Sequence, residues 1–522
     1  MGEKLELNEK IMATECANNR VIPKCFALII MVAAALSSTA QTGVVSSGGN
    51  GTGSGGSMSI TLGLPDYFVA TGAGGSASLG LQHGYDNGIM WTGAISTDWS
   101  TGSNWNKGVV PATSDSAIIT AYPTNQPHIT TAPGSYTSIN DIVVRTGATL
   151  TIDAGKALTV SQTLNSDGTV IVNANASNIG SLITNGTISG SGNFKMQQYL
   201  TGSGGATPNG LFYYVGSPVS DATAATYNIG SGNKLWSADE TTTSYPQISN
   251  AATVLNPLTG YVARMGADGV FTFSGSTYNT GAQANASLTR TGTTDSNRGY
   301  NLQSNPYPSS VSWDQAQRTN LSTTLWYRTH QGNTMLYDTY NATSSIGTNN
   351  NGNGAVTGVI PPTQAFWVRV PTDGLSGALS FDDYMRSHTE WSSIYKLASE
   401  EGTVRLTLSN GNVSDETIVA FNSDAEDGFD DFDSQKFWAG SSVPQMYTTT
   451  DADTLVINGL ESVANNPVVD LGIKIPVSGN YTISATEITL AESVYLEDRL
   501  LNVFQDLNIN PNYDFTNGAG NF

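Results

Sequence analysis

Alternating hydrophobic and polar positions mark short segments along most of this chain. Residues 57–62 (SMSITL) and 404–408 (VRLTL) place an apolar side chain at every second position, and residues 417–421 (TIVAF) form a β-branched run. A period of two is typical of a strand with one buried face. We therefore predict a strand near the N-terminus and an antiparallel β-sandwich after residue 391.

A second pattern fills residues 147–188, where short β-branched runs recur after glycines and turn residues. The runs begin about 5 to 12 residues apart and are 147–152, 158–160, 168–172, 181–183 and 186–188. Irregular rungs of this kind are typical of a short parallel β-helix, in which each turn buries its apolar residues against the next turn. An ordinary sandwich is the alternative.

Three tryptophans precede this segment within 15 residues: Trp91, Trp99 and Trp105. Gly, Ser, Thr and Asp separate them, so they cannot form one stripe of a helix. We predict that they pack a capping turn onto the open end of the β-helix.

The middle of the chain is rich in aromatic residues and turns. Its landmarks are 213–218 (YYVGSP), 299–308 (GYNLQSNPYP) and 362–368 (PTQAFWV), where proline restricts the residue before it to extended or turn conformations. The Asn-rich segment 347–354 predicts an exposed loop. The predicted fold class is all-β, with a short parallel β-helix-like segment followed by antiparallel β-sandwich domains.

The N-terminal region has the pattern of a secretory signal peptide. Basic residues at Arg20 and Lys24 precede an apolar run at 25–35, and small residues lead to a cleavage site after Ala40. The run is shorter than the roughly 20 residues that span a bilayer. Cleavage would remove Cys16 and Cys25, so the expected product is extracellular, without disulfides or a transmembrane segment.

Composition narrows the function classes. The formal net charge of −21 disfavours nucleic acid as a partner, because phosphates are bound by Lys and Arg. Residues 391–522 contain 20 acidic and 5 basic residues, which indicates a separate acidic module. The predicted organisation is a signal peptide (1–40), a Gly/Ser-rich β segment (41–90), the Trp-capped β-helix (91–200), an aromatic-rich sandwich (201–390) and the acidic sandwich (391–522).

One acidic run is a candidate calcium site. Calcium takes six to eight oxygen ligands, and four carboxylates lie around a glycine turn: Asp424, Asp427, Asp430 and Asp433. The spacing does not match the EF-hand, and a solvated turn pinned by Phe429 and Phe432 is the alternative. No cofactor other than calcium is expected.

Five aromatic residues are candidate platforms for stacking on sugar rings: Trp99, Trp105, Trp313, Trp326 and Tyr327. Each has the alternative of being a core residue, since aromatic side chains dominate β cores. The four histidines are far apart in sequence and lack zinc-ligand spacing. A glycan-active β-helix enzyme needs two facing carboxylates, for which that segment offers Asp153 and Asp167.

Four pieces, taken in order, resemble large secreted or surface-attached proteins of Bacteroidota, many of them type IX secretion cargo. They are 44–86 (VVSSGGN to GLQHGYD), the cap at 91–111, the landmarks of the middle segment, and a tail containing FDDFDSQKF, VYLEDR and NYDFTNGAG. The resemblance implies export and surface display, with no known activity. Relatives continue into a sorting domain, which we expect to be absent because this chain stops at Phe522.

These observations together predict a secreted or cell-surface β protein that is adhesin-like or structural and is not an enzyme. Its expected partners are extracellular glycans or surface proteins. A carbohydrate-binding module and a glycan-active enzyme are the alternatives. A shallow groove with coplanar exposed aromatics favours binding, whereas a deep cleft with paired carboxylates favours catalysis.

Overall fold

A computed structural model describes residues 88–130, 137–202, 211–230, 232–292, 298–388, 402–450, 453–464 and 466–522, together with four backbone strands between residues 47 and 79. The predicted signal peptide lies outside the described residues. The chain divides into two compact units, Met1–Asn87 and Gly88–Phe522.

The first unit contains two antiparallel hairpins. Strand β1 (Ser47–Gly53) pairs with β2 (Gly56–Leu62), and β3 (Phe68–Gly72) pairs with β4 (Gly75–Leu79). The strand predicted at residues 57–62 lies within β2.

The second unit begins with a parallel β-solenoid of about 4 turns, as the sequence predicted. Its strands are β5 (Ile89–Met90), β6 (Ser116–Ile119), β7 (His128–Ile129), β8 (Thr137–Ile139), β9 (Asp141–Val144), β10 (Thr149–Ile152), β11 (Ala157–Val160), β12 (Leu164–Ser166), β13 (Thr169–Val172), β14 (Ser181–Thr184), β15 (Ile188–Ser189) and β16 (Asn193–Leu200). Three parallel sheets form its sides, with orders β5-β6-β9-β12-β15, β7-β10-β13-β16 and β8-β11-β14.

Apolar ladders run along the inside of the solenoid. Leu150, Val170 and Phe194 are aligned on three successive turns, and all three are 0% exposed. Each side chain is covered by the equivalent residues above and below it, so the turns stabilise one another. Gly147 turns a corner at a φ of +80°, a backbone conformation that glycine adopts without strain.

The three tryptophans close the first end of the solenoid core, as predicted. The Trp105 ring meets Trp91 at 4.9 Å and Trp99 at 4.6 Å, both edge-to-face. The Trp91 indole donates to the carbonyl of Asn125 at 2.6 Å, and the Trp105 indole donates to the carbonyl of Trp99 at 2.9 Å. The indole N–H groups of Trp91 and Trp105 are therefore satisfied inside the core.

The solenoid continues into antiparallel sheets, since its last strand β16 pairs antiparallel with β21. The strands of this middle region are β17 (Tyr213–Val215), β18 (Lys234–Ser237), β19 (Gln247–Ile248), β20 (Tyr261–Arg264), β21 (Gly269–Gly275), β22 (Gln283–Leu288), β23 (Tyr300–Ser304), β24 (Ser310–Ser312), β25 (Gln317–Thr319), β26 (Thr324–Gln331), β27 (Thr334–Asn341), β28 (Ile346–Gly347), β29 (Val359–Ile360), β30 (Ala365–Arg369), β31 (Gly377–Phe381) and β32 (Arg386–Ser387). The central sheet of this region has the order β23-β30-β26-β27-β28.

The core of the solenoid extends into the middle region. One hydrophobic cluster runs from Ile89 to Tyr278 and so crosses the boundary predicted at residue 200. Helical structure in the described residues is limited to three 3₁₀ turns: Gly102–Asn104, Ala224–Tyr227 and Asp383–Met385. The Asn-rich segment 347–354 is only partly an exposed loop, because Asn350 is 2% exposed.

The acidic region forms a single large sheet and one small hairpin. Its strands are β33 (Gly402–Ser409), β34 (Ser414–Phe421), β35 (Ser434–Gln435), β36 (Gln445–Thr450), β37 (Asp453–Leu460), β38 (Leu471–Ile475), β39 (Gly479–Ile488), β40 (Tyr495–Asp498), β41 (Val503–Asp506), β42 (Asn512–Asn517) and β43 (Gly520–Asn521). The large sheet has the order β42-β39-β33-β34-β37-β36-β38-β43, with β35 also paired to β37. Most pairs are antiparallel, as predicted, but β34 and β37 are parallel.

The two ends of this sheet lie next to each other. Strands β42 and β43 occupy opposite ends of the strand order, yet only Gly518 and Ala519 separate them in sequence. A link of that length reaches about 10 Å. The sheet therefore curls round until its edges meet.

Candidate functional site

The five aromatic residues proposed for sugar stacking are core residues. Their exposed fractions are 1% for Trp99, 2% for Trp105, 0% for Trp313, 1% for Trp326 and 1% for Tyr327. A sugar ring needs an open aromatic face, and neighbouring side chains cover these faces. The stacking prediction is therefore wrong for all five, and the alternative of a core role is correct.

The four aspartates of the candidate calcium site do not form one cage. The Asp430 carboxylate accepts the backbone N–H of Glu426 at 2.8 Å, and the Asp433 carboxylate accepts that of Gly459 at 2.9 Å. Asp433 is buried, which raises its pKa to about 7. Asp424, in contrast, is exposed to solvent. The described residues contain no group of three or more acidic, His or Cys side chains placed to hold a metal ion. Calcium binding remains a prediction.

Part of this acidic run docks onto the central sheet of the middle region. The amide nitrogen of Asn341 donates to the carbonyls of Asp431 and Asp433, each at 3.0 Å. The indole of Trp326 donates to the carbonyl of Gln435 at 3.0 Å. We call residues 431–437 the docking strap. The run stands out in the sequence by its charge, but its backbone carbonyls make these contacts.

Phe437, at the end of the docking strap, inserts into a layer of aromatic rings. Its ring lies 4.4 Å from that of Tyr337, 4.7 Å from that of Tyr300 and 6.0 Å from that of Trp367, nearly parallel to the last. Arg328 lies over the Tyr337 ring at 5.0 Å. This layer unites the landmark motifs of the middle region, which the sequence could identify but not bring together.

An open groove lies on the outer face of strands β33, β39 and β42. The groove has a volume of about 500 Å³. Its lining residues are Ser409, Asn410, Gly411, Asn480, Tyr481, Thr482, Asp514, Phe515 and Thr516. Thr482 donates its hydroxyl to Asp514 at 2.6 Å, and Thr516 donates to the side-chain oxygen of Asn480 at 2.7 Å. These polar groups offer both hydrogen-bond donors and acceptors to a ligand.

The groove follows from the two-residue period of its strands. Ser409 is aligned with Thr482, and Thr482 with Asp514, so three polar side chains form a row across the sheet. The residues between them, Tyr481 and Phe515, pack into the core with their rings 6.0 Å apart. The alternation is visible in the sequence. The sequence does not show, however, that β33 pairs with β39, because the two strands are more than 70 residues apart.

Two carboxylates in the solenoid were the candidates for glycan cleavage. Asp153 lies 3.0 Å from His128 Nδ1, and Asp167 accepts the backbone N–H of Ser191 at 2.9 Å. Both are therefore engaged at the corners of the solenoid turns. The enzyme alternative remains a prediction.

Buried charges lie where the acidic sheet meets the middle region. Arg405 pairs with Glu416 at 3.1 Å and with Glu487 at 2.8 Å, and it also donates to the carbonyl of Gly347. Burial raises the pKa of the Glu416 carboxyl, and the Arg405 guanidinium opposes that shift. This network holds the Asn-rich segment against β34.

Comparison with known proteins gives a family. A family model described as a domain of unknown function (DUF8693) matches residues 90–522. This chain belongs to the DUF8693 family. The match to DUF8693 covers the solenoid, the middle region and the acidic sheet together. No curated protein and no solved structure matches the chain.

Within the part of the chain that the structure describes, no helix has the length and apolarity required to cross a membrane.

Proposed function

We propose that this DUF8693 protein is a secreted or cell-surface β protein with an adhesin-like or structural role, and that it is not an enzyme. The observation that carries the proposal is the internal use of its large aromatic side chains. Trp99, Trp313 and Trp326 seal cores, and Phe437 locks the acidic region onto the middle region. Such interlocking suits a rigid scaffold that presents loops and outer sheet faces.

Binding by such a scaffold gains strength from repetition. Several weak contacts on one rigid body raise avidity without any deep pocket, provided the contacts can engage together. The proposed extracellular location rests on the signal-peptide pattern at residues 20–41 and on the resemblance to exported Bacteroidota proteins. Mapping the N-terminus of the exported protein tests it: a start at Gln41 is expected, and retention of Met1 in the cell would contradict it.

The polar groove supports a second candidate function, carbohydrate binding. Sugar hydroxyls both donate and accept hydrogen bonds, and Asn480, Thr482, Asp514 and Thr516 provide both kinds of group on one open face. The groove lacks an exposed aromatic platform among its described residues, which favours weak, hydrogen-bonded recognition. A single site of this kind would bind weakly, so stable attachment to a glycan-covered surface would need several sites at once.

A glycan array with the purified full chain separates the two candidates. For groove binding we expect saturable signals that Asp514→Ala weakens about tenfold, the equivalent of roughly 1.4 kcal/mol. Asp470→Ala is the matched control, because its side chain is 67% exposed and it lies just before β38, outside the groove lining.

Each outcome of the array has one meaning. Binding that both variants retain would contradict the groove as the site. Binding that a chelator abolishes would favour calcium at residues 424–433. A folded protein that binds no glycan would reject the carbohydrate candidate and leave the structural role.

A further inference from the structure

Lys436 of the docking strap forms an ion pair with Asp415 at the start of β34. The Lys436 Nζ lies 2.5 Å from Asp415 Oδ2, and the two side chains are 3% and 5% exposed. The pair therefore links the strap to the acidic sheet in a site that excludes bulk water.

The ion pair is incompletely solvated by the protein. An ammonium group has three N–H donors, but among the described residues Lys436 Nζ has a single acceptor, Asp415. The same Asp415 oxygen also accepts the backbone N–H of Met446 at 2.7 Å. Taking two charges out of water carries a desolvation penalty that can exceed the attraction between them, and conversion to a neutral product removes that penalty.

We propose that Lys436 and Asp415 join in the mature protein as an intramolecular amide, an isopeptide bond between Lys436 Nζ and Asp415 Cγ. The ammonium first passes a proton to the carboxylate, which gives a neutral amine and a carboxylic acid. The amine electron pair then attacks Cγ, a second proton moves from nitrogen to the departing hydroxyl, and water leaves. One C–N bond forms and one C–O bond breaks, and no oxidant or reductant takes part.

The structure holds the amine and the carboxyl group together, whereas in solution their condensation is limited by how rarely they meet. The two groups are held in contact, and such placement corresponds to effective concentrations of roughly 10⁵–10⁸ M in well-oriented intramolecular reactions. Burial raises the pKa of the Asp415 carboxyl, which favours the protonated acid needed for attack. The Met446 N–H, already donated to this carboxyl, stabilises the negative charge that develops on oxygen.

The bond would give the protein a covalent crosslink without cysteine. Both cysteines lie within the first 25 residues, so the rest of the chain contains none. The amide would fix the docking strap to β34 across 21 residues. The bond would form with or without a glycan or surface partner.

Peptide mapping of the purified full chain tests the bond. Trypsin cuts after Lys and Arg but not after a lysine whose amine is an amide. We expect the peptide 406–474, uncut after Lys436 and lighter than its sequence mass by one water, about 18 Da. Fragmentation should place the loss between Asp415 and Lys436, and normal cleavage after Lys474 is the internal control.

A matched variant separates the bond from incomplete digestion. Lys436→Met keeps the side-chain length but has no amine, so no peptide from this variant should show the water loss between residues 415 and 436. Recovery of peptide 406–436 at its full sequence mass from the folded wild-type protein, after days at neutral pH, would overturn the proposal. That result is decisive even if the variant fails to fold.

Discussion

Asp338 is a carboxyl group held in the protein interior, and no Lys or Arg among the described residues pairs with it. It is 0% exposed, and it accepts hydrogen bonds from the backbone of Asn350 at 2.6 Å and from the hydroxyl of Thr348 at 2.9 Å. Burial raises its pKa to about 7, although these hydrogen bonds act in the opposite direction. The Asn-rich segment is therefore anchored by a residue that changes charge near neutral pH.

Replacing this residue should change how stability depends on pH. A carboxyl whose folded pKa lies above its unfolded value stabilises the protein at low pH, and the contribution disappears as pH rises through about 7. From pH 5 to pH 8 the wild type should lose about 2–3 kcal/mol of unfolding free energy through this group. Asp338→Asn should remove most of that slope in urea unfolding, whereas Asp470→Asn should leave it unchanged. An unaltered slope in Asp338→Asn would contradict the assignment.

For single residues, the sequence narrowed the possible roles to a few but did not show which one applies. For Trp313 and Trp326 it offered both a core and a ligand role, because an aromatic side chain suits either. Whether Asn350 faces solvent or the interior depends on a partner such as Asp338, and their contact requires the folded turn between β27 and β28. The run at 424–433 is conspicuous in the sequence because of its charge. Its contacts with the middle region are nevertheless made by backbone carbonyls, which the sequence does not distinguish.

Among the elements, the tryptophan cap should control the stability of the solenoid. Trp105 contacts both Trp91 and Trp99, so Trp105→Ala would open a cavity at the end of the apolar ladders. We expect a loss of about 3–5 kcal/mol in urea unfolding. Trp438→Ala is the control, since that side chain is 36% exposed and should cost far less. Equal losses in the two variants would contradict a special role for the cap.

The solenoid itself was largely predictable from its pattern. β-branched runs after glycines indicated rungs, and their irregular spacing has a simple cause: three strands of unequal length make each turn. The structural repeat is the full turn of about two dozen residues, as in the aligned Ala117, Ile142 and Leu164. The sequence could not show which runs share a sheet, because that depends on corners of variable length.

At the scale of the whole molecule, Phe437 is the contact that should couple the acidic region to the middle region. Phe437→Ala would leave a gap among Tyr300, Tyr337 and Trp367, at a cost of about 3–5 kcal/mol. Limited proteolysis should then release fragments faster, and the acidic region should unfold at a lower urea concentration than in the wild type. Phe429→Ala, at a side chain 41% exposed in the same acidic run, should do neither. A urea-unfolding curve of Phe437→Ala that is unchanged from the wild type would reject the coupling.

The closed sheet of the acidic region has a consequence for the order in which the protein folds. Strand β33 cannot complete its pairing until β39 is present. The two edges of the sheet are completed by strands within residues 512–521. Contacts between residues so distant in sequence make folding slow. During synthesis this sheet therefore cannot close until residues 512–521 have been made, so most of the acidic region is translated before its two edges can pair.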